Sequence, residues 1–178
     1  MDQRITPCLM FKTEAEDAAE RYVSVFSSVF GNSKILKTTY FGEEELSALR
    51  KVPGMTDDIM PGTAGSVKTV SLLLNGQRFI AGNGGAYFGK FTESMSIYVD
   101  CETQYQIDQL WERLSEGGVE QPCGWLKDKY GVSWQIAPSI IWEIMEGPDH
   151  QKSQRVMKVL YEMKKIDIEK VMMAAENG

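Results

Sequence analysis

Histidine is nearly missing from this chain: His150 is the single one in 178 residues. Imidazole is the commonest ligand of borderline metals and the usual proton carrier near neutral pH, so both chemistries lack their main instrument here. Cysteine is scarce as well. Cys8, Cys101 and Cys123 are odd in number and form no Cys-x-x-Cys pair, which fits reduced thiols better than a disulfide framework. A Ser-His-Asp triad would have to recruit the one imidazole, and no Gly-x-Ser-x-Gly elbow is present to expose its serine. Positive charge is in deficit: 19 Lys and Arg against 25 Asp and Glu leave a net charge of −6, which argues against a nucleic-acid surface. No apolar run approaches the ~20 residues that cross a bilayer. The opening MDQRITPCLMF lacks the apolar core of a secretory signal. The expectation is a cytoplasmic protein with neither membrane nor nucleic acid as partner.

What remains is an ordinary soluble composition, 43% hydrophobic and 25% charged, in a chain long enough for one sizeable core. ITPCLMF (5–11) suits a short strand, with Pro7 at its edge or end. Ala15, Ala18, Ala19, Tyr22, Val23 and Phe26 then recur at helical spacing. Thr13 is placed to cap that helix, with Glu16 three residues on, and Gly31 to stop it. KILKTTYF (34–41) reads as a strand. Residues 42–65 change character, with acidic residues, two prolines and four glycines; a connection this long is a lid or is disordered, with room for a helical turn at 44–50. SVKTVSLLL and QRFIAGN flank Asn75-Gly76, the strongest short hairpin signal.

The order then restarts. SMSIYVD (94–100) is a strand. YQIDQLWERLSEGG (105–118) carries Ile107, Leu110, Trp111 and Leu114 on one helical face and ends in glycine. CGWLKDKYGVSWQI (123–136) follows as two strands about Asp128-Lys129-Tyr130-Gly131. Both Gly76 and Gly131 are followed three residues later by an aromatic, Phe79 and Trp134. Repeated element order and this echo predict a duplicated βαβββ unit. From Ile140 onward the periodicity is helical: Val156, Val159, Leu160 and Met163 share a face, and Asp167 is placed to cap a last helix.

Several features invite chemistry and each has a plainer reading. His150 opens a tail helix outside both repeats, where a solvated residue suffices. Cys8 and Cys123 fall in expected strands with no histidine in sequence reach, so packing thiols suffice. AGNGGAYFG (81–89) has phosphate-loop glycines without the Lys-Ser/Thr ending, and leads to another strand; a glycine-rich linker suffices. The lack of a cofactor loop between a first strand and its helix counts against a Rossmann-type methyltransferase. Trp125 and Trp134 flank one turn from opposite strands, either as core or as a cavity wall with Gln135 and Asn83 as polar handles.

ITPCLMF, AEDAAERYVSVF, GSVKTVSLLLNGQRFIAGNGG, CGWLKDKYGVSWQI and RVMKVLYEMKKIDI together resemble the PhnB-like branch of the vicinal oxygen chelate superfamily, the superfamily of glyoxalase I, bleomycin-resistance proteins and extradiol dioxygenases. Members of that branch often carry the label 3-demethylubiquinone-9 3-methyltransferase. The resemblance implies an α+β fold: two tandem βαβββ modules forming a half-open barrel around a cavity, usually in a homodimer. On that basis residues 1–178 are one glyoxalase-like domain, with modules at 1–84 and 90–138 and a helical extension at 139–178. Superfamily enzymes place metal ligands on the first and last strands of each module. Carried over, these fall near Thr6 and Ser94, and near Ile80 and Gln135, none of them a histidine or carboxylate. No divalent metal and no other cofactor is therefore expected.

The expected function is binding of a small, partly apolar organic ligand in the barrel cavity of a metal-free homodimer. Trp125, Trp134 and Met10 would supply walls, and Gln135, Ser94, Asn83 and Cys8 polar contacts; Thr6, Cys8 and Met10 alternate onto one strand face. The rival expectation is an enzyme of the same fold, either metal-dependent through Glu93 and Gln135 or a quinone methyltransferase. Whether any reaction is catalysed stays open at this level. A third expectation has a filled barrel that acts through dimer contacts alone.

Overall fold

The strand-helix-hairpin order of the sequence is realised twice. The computed structural model describes residues 5–176 and divides between Lys90 and Phe91 into two compact units. In the first, β1 (Cys8–Phe11), α1 (Ala15–Phe30), β2 (Lys34–Tyr40), β3 (Val67–Leu74) and β4 (Gln77–Asn83) form a four-stranded sheet in the order β1-β4-β3-β2. β1 runs parallel to β4; the other pairs are antiparallel. Alternation along β3 buries Val70, Leu72 and Leu74 and turns Thr69, Ser71 and Leu73 to the opposite face. Asn75 and Gly76 both take positive φ, 46° and 82°, as the tight turn joining β3 to β4 requires.

α1 buries Ala15, Ala18, Ala19, Tyr22, Val25 and Phe26. Val25, not Val23, completes the stripe, because at 3.6 residues per turn it sits one turn below Tyr22 while Val23 drifts to the flank. Gly31 ends the helix in the left-handed conformation, its N–H bonded to Ser27 O. The start differs from the Thr13 cap expected from the sequence. The N-cap is Glu14, whose side chain makes no cap bond, and Asn83 Oδ1 of β4 accepts the Ala15 N–H at 2.9 Å. The cap comes from the neighbouring strand, which a local motif cannot reveal.

The second unit repeats the plan with β5 (Ile97–Cys101), α3 (Gln104–Ser115), β6 (Val119–Glu120), β7 (Trp125–Lys127) and β8 (Ser133–Pro138), in the order β5-β8-β7-β6. β5 is parallel to β8, and the other pairs are antiparallel. Thr103 and Gln106 form a reciprocal capping box at the start of α3. Its buried Ile107, Leu110, Trp111 and Leu114 share the core of this unit with Leu126, Trp134 and Ile136. Cys101 is buried in β5, but Cys123 is not in a strand: it occupies a turn before β7 with φ +60°, its N–H bonded to Met163 O. Both units are thus α+β with four-stranded mixed sheets, and neither sheet closes on itself.

The tail comprises α4 (Ile140–Glu146), α5 (His150–Tyr161) and α6 (Ile168–Glu176). Ile141, Ile144, Val156, Leu160, Ile166, Val171 and Ala175 form one buried cluster with Ala137 of β8, flanked by Tyr98 and Met163. It belongs to the second unit in cis. Gln104 of α3 bonds Ile166 O and the Ile168 N–H, and Lys165 pairs with Asp108 at 2.5 Å. Asp167 Oδ1 accepts from the Lys170 N–H at 3.2 Å, the cap that the sequence suggests. Among the described residues, no helix is long and apolar enough to cross a membrane.

Candidate functional site

The connection after β2 builds the wall of a cavity. α2 (Glu43–Leu49) lies in it, followed by a 3-10 turn at Asp57–Ile59. Buried Phe41 and Leu46 anchor the segment, and Leu49, Val52, Met55 and Pro61 line one side of the cavity. Opposite them stand Met10 of β1, Lys68 and Thr69 of β3, and Asn83 and Gly84 at the end of β4. Tyr87 and Phe88, ring centroids 5.3 Å apart edge to face, finish the lining. The cavity is a cleft open to solvent, its Val52, Tyr87 and Phe88 being exposed, and its volume is about 360 Å³. That is within the range of small-molecule sites, and equals about a dozen waters of liquid volume.

The glycines of residues 81–89 acquire a purpose here. A Cβ on Gly82 would stand 3.0 Å from Met10 Sδ, and one on Gly84 2.3 Å from the Phe88 ring and 2.9 Å from Met10 Cε. Gly85, at φ +64°, packs its backbone so closely on the wall that a Cβ would fall 2.0 Å from Ile59 O. The stretch is the cavity floor and the clamp on its wall.

Most polar groups of the lining are already committed. Asn83 accepts from Ala15 N and donates to Val67 O at 2.9 Å. Thr69 Oγ1 shares a 2.6 Å hydrogen bond with Thr39 Oγ1. Lys68 Nζ is ion-paired with Glu45 of α2, both side chains about two-fifths exposed. Cys8 is exposed beside the cavity residue Met10, its Sγ 3.7 Å from Met10 Sδ, and partial burial pushes its thiol up from the ordinary value.

Of the residues singled out in the sequence, Met10 and Asn83 line this cavity; Ser94, Trp125, Trp134 and Gln135 belong to the second unit. Trp134 is wholly buried, and its indole N–H donates to Asp128 Oδ2 at 2.9 Å, so it is a core side chain. Asp128, also buried, accepts from the Tyr130 and Val132 N–H groups through Oδ1 at 2.9 and 3.0 Å. One carboxylate thus organises the turn that separates the tryptophans. In the β7–β8 register Trp125 lies opposite Gln135 and Leu126 opposite Trp134, so the two tryptophans point to opposite faces. Trp125 and Gln135 share the other face with Tyr98, Gln135 Nε2 donating to Ser96 Oγ at 2.6 Å. Ser94 is exposed in a turn before β5, bonded to Thr92. Glu93 is paired with Lys127, which holds its carboxyl below the usual range.

Register also corrects the position taken from sequence on the first strand. Cys8 pairs with Ile80 and Tyr98 with Gln135. Counting two residues back gives Thr6 in one unit and Ser96, not Ser94, in the other. The wall residues Leu49, Val52 and Met55 went unnoticed in the sequence, although their spacing of three within an otherwise polar loop was a visible signal.

A βαβββ unit built twice, with parallel outer and inner strands in each sheet, defines the glyoxalase-like, vicinal oxygen chelate class of fold. A family model described as 3-demethylubiquinone-9 3-methyltransferase matches residues 3–137. Among solved structures, a PhnB protein from Bacillus cereus, provisionally described as a 3-demethylubiquinone-9 3-methyltransferase, is similar at 32% identity and a TM-score of 0.60, over 77% of this chain and 100% of that one. Protein PA1353 from Pseudomonas aeruginosa is similar at 18% identity and a TM-score of 0.57, over 77% and 98% of the two chains. No match is found among curated proteins. The chain belongs to the family so described, the PhnB-like branch of that superfamily.

Of the two groups that this kinship implies, the metal does not fit the side chains present. Among the described residues no three His, Cys, Asp or Glu side chains cluster. At the positions where the superfamily places its ligands stand Thr6, Ile80, Ser96 and Gln135, the last two bonded to each other. Such a set offers a divalent ion no carboxylate, thiolate or imidazole. The sulfonium methyl donor would need partners for an amino-acid end and two ribose hydroxyls. Of the cavity's polar side chains, Asn83 and Thr69 are committed within the protein, which leaves the exposed Lys68–Glu45 pair and the Tyr87 hydroxyl to meet such a group.

Proposed function

We propose that the first unit holds a small, partly apolar organic molecule, in a cytoplasmic homodimer that needs no metal for this binding. The observation that carries the reading is the cavity itself, about 360 Å³ walled by Phe41, Leu49, Val52, Met55, Tyr87 and Phe88. Gly84 is part of its lining, and the missing Cβ there lets Phe88 and Met10 pack directly on the backbone. Apolar surface left open at that size is a standing gain for any ligand that covers it, at about 25 cal/mol per Å². Trp125 and Gln135, which share one face in the second unit, remain candidate contacts of the same kind.

The test is calorimetric titration of the full chain with small neutral aromatics such as 4-phenylbutanol, against a Leu49→Trp variant whose indole fills the cavity. Binding to the parent that disappears in the variant supports the reading. Equal binding to both, or none to either, overturns it. Intrinsic tryptophan fluorescence is the wrong reporter, since the cavity lining contains no tryptophan.

The family description favours a second reading, methyl transfer to a demethylated quinol. Incubation with S-adenosylmethionine and a short-chain demethylquinol decides it: methylated product above the protein-free rate would establish it, and none would leave binding as the reading.

A further inference from the structure

Resting on that binding reading, we infer that the cavity selects small organic monoanions with an apolar or aromatic body, and that Lys68 is the residue that selects them, with Glu45 as the counter-ion the ligand displaces. Apart from the Tyr87 hydroxyl, the polar side chains of the lining are Asn83, Thr69, Lys68 and Glu45. Asn83 bridges Ala15 N and Val67 O, and Thr69 is paired with Thr39. Neither can turn to a ligand without leaving a protein group unpaired, which is costly where that group is buried. Lys68 and Glu45 are bonded to each other at the surface of the cavity, and two-fifths exposure lets either partner return to water. An exposed pair of this kind is weakly held in water, so it exchanges partners readily.

The sign of the ligand follows from which partner returns to water more readily. Lys68 stands near the start of β3, half-buried, next to Thr69, which is paired with Thr39 of β2 and Gly82 of β4. Glu45 is an exposed residue of α2, beside Glu43 and Glu44. The half-buried cation is the binding group, and the exposed carboxylate is the one that leaves for solvent. An amine would have to displace Lys68 from Glu45 and then lie with its charge against the displaced ammonium. An acid meets Lys68 alone, its body on Met10, Phe41 and Leu49.

Three matched probes test this on the full chain by calorimetry: 4-phenylbutyrate, 4-phenylbutanol and 4-phenylbutylamine. The butyrate should bind about fivefold tighter than the alcohol in low salt, and the advantage should shrink in 0.5 M NaCl as screening grows. The amine should be weakest. Lys68→Met should erase the preference for the acid over the alcohol, and Glu45→Gln, which removes the competing carboxylate, should enlarge it. An acid-to-alcohol ratio near one in the parent, or a ratio unmoved by Lys68→Met, overturns the assignment while leaving cavity binding intact. Tightest binding by the amine overturns it in the opposite sense. If no probe binds, or if Leu49→Trp binds all of them as the parent does, cavity binding falls and this inference with it.

Discussion

Replacing Asp128 by asparagine should unravel the turn between the tryptophans, for reasons that can be put in numbers. The aspartate is 3% exposed, and its two oxygens accept hydrogen bonds from Tyr130 N, Val132 N and Trp134 Nε1 at 2.9–3.0 Å. A bond to a charged acceptor contributes about 1.5–3 kcal/mol, and leaving a buried donor bare costs about 1–3 kcal/mol. The substituted amide would keep Oδ1 but aim an NH₂ at the indole N–H, donor against donor. The expected loss is about 3 kcal/mol, the indole bond being its largest part. Trp134→Phe removes the donor and should lose about as much, partly through the volume left in the core. The double variant is the discriminating case. With the indole gone, Asp128→Asn should cost about 1.5 kcal/mol less than it does alone, a coupling typical of residues in one network. Urea unfolding followed by circular dichroism at 222 nm measures all four proteins. Strict additivity within about 0.5 kcal/mol would refute the claim that the carboxylate–indole bond holds this hairpin.

Gly85→Ala should lower the melting temperature by several degrees, since a Cβ there lies 2.0 Å from Ile59 O at a φ of +64°; an unchanged melting curve would show that the wall yields freely. Truncation before His150 removes buried Val156, Leu160, Ile166 and Val171. At about 1.5–3 kcal/mol each this rivals total domain stability, so the second unit should become insoluble or unfold; a soluble product with the parent's melting curve would contradict that. Lys165 beside Asp108 holds that carboxyl below its ordinary value near 3.8. A depressed folded value means the contribution is whole above 3.8 and is lost as pH falls through the lower folded value. Lys165→Met should therefore flatten the stability loss below about pH 4, by little because the pair is solvated; a parallel acid limb in both proteins would refute it. Burial pushes the Cys101 thiol up to about 12, so at pH 8 an aromatic disulfide reagent should label exposed Cys8 first and Cys101 only on unfolding; early labelling of Cys101 would place it elsewhere.

The elements were legible wherever one physical signal fixed them locally. Helical spacing located α1 and α3, the Asn75-Gly76 dipeptide located its hairpin, and alternation along β3 assigned its faces. What escaped depended on partners distant in sequence. Asn83 caps α1 from 68 residues away, whereas Thr13 is the only cap visible locally. Whether Trp134 is core or wall depends on parity in the β7–β8 register, and that parity puts it against α3 with Leu126. Ser94 and Ser96 differ by two positions, a shift that keeps the strand face and so leaves no trace in the hydrophobic alternation. The connection over 42–65 looked like a lid or a disordered stretch by composition. Its apolar residues Leu49, Val52 and Met55 acquire meaning only against Met10 and Gly84.

The central claim is that the cavity of the first unit takes up small apolar molecules, and methyl-labelled methionine NMR tests it at the site. Met10 and Met55 line the cavity, while Met145, Met157, Met163, Met172 and Met173 lie in the tail. Titration with 4-phenylbutanol should move the Met10 and Met55 methyl signals, assigned through Met10→Leu and Met55→Leu, with saturation at about 0.1–1 mM. The tail methyls should stay where they are. Shifts confined to the tail, or none anywhere at saturating probe, would contradict the account.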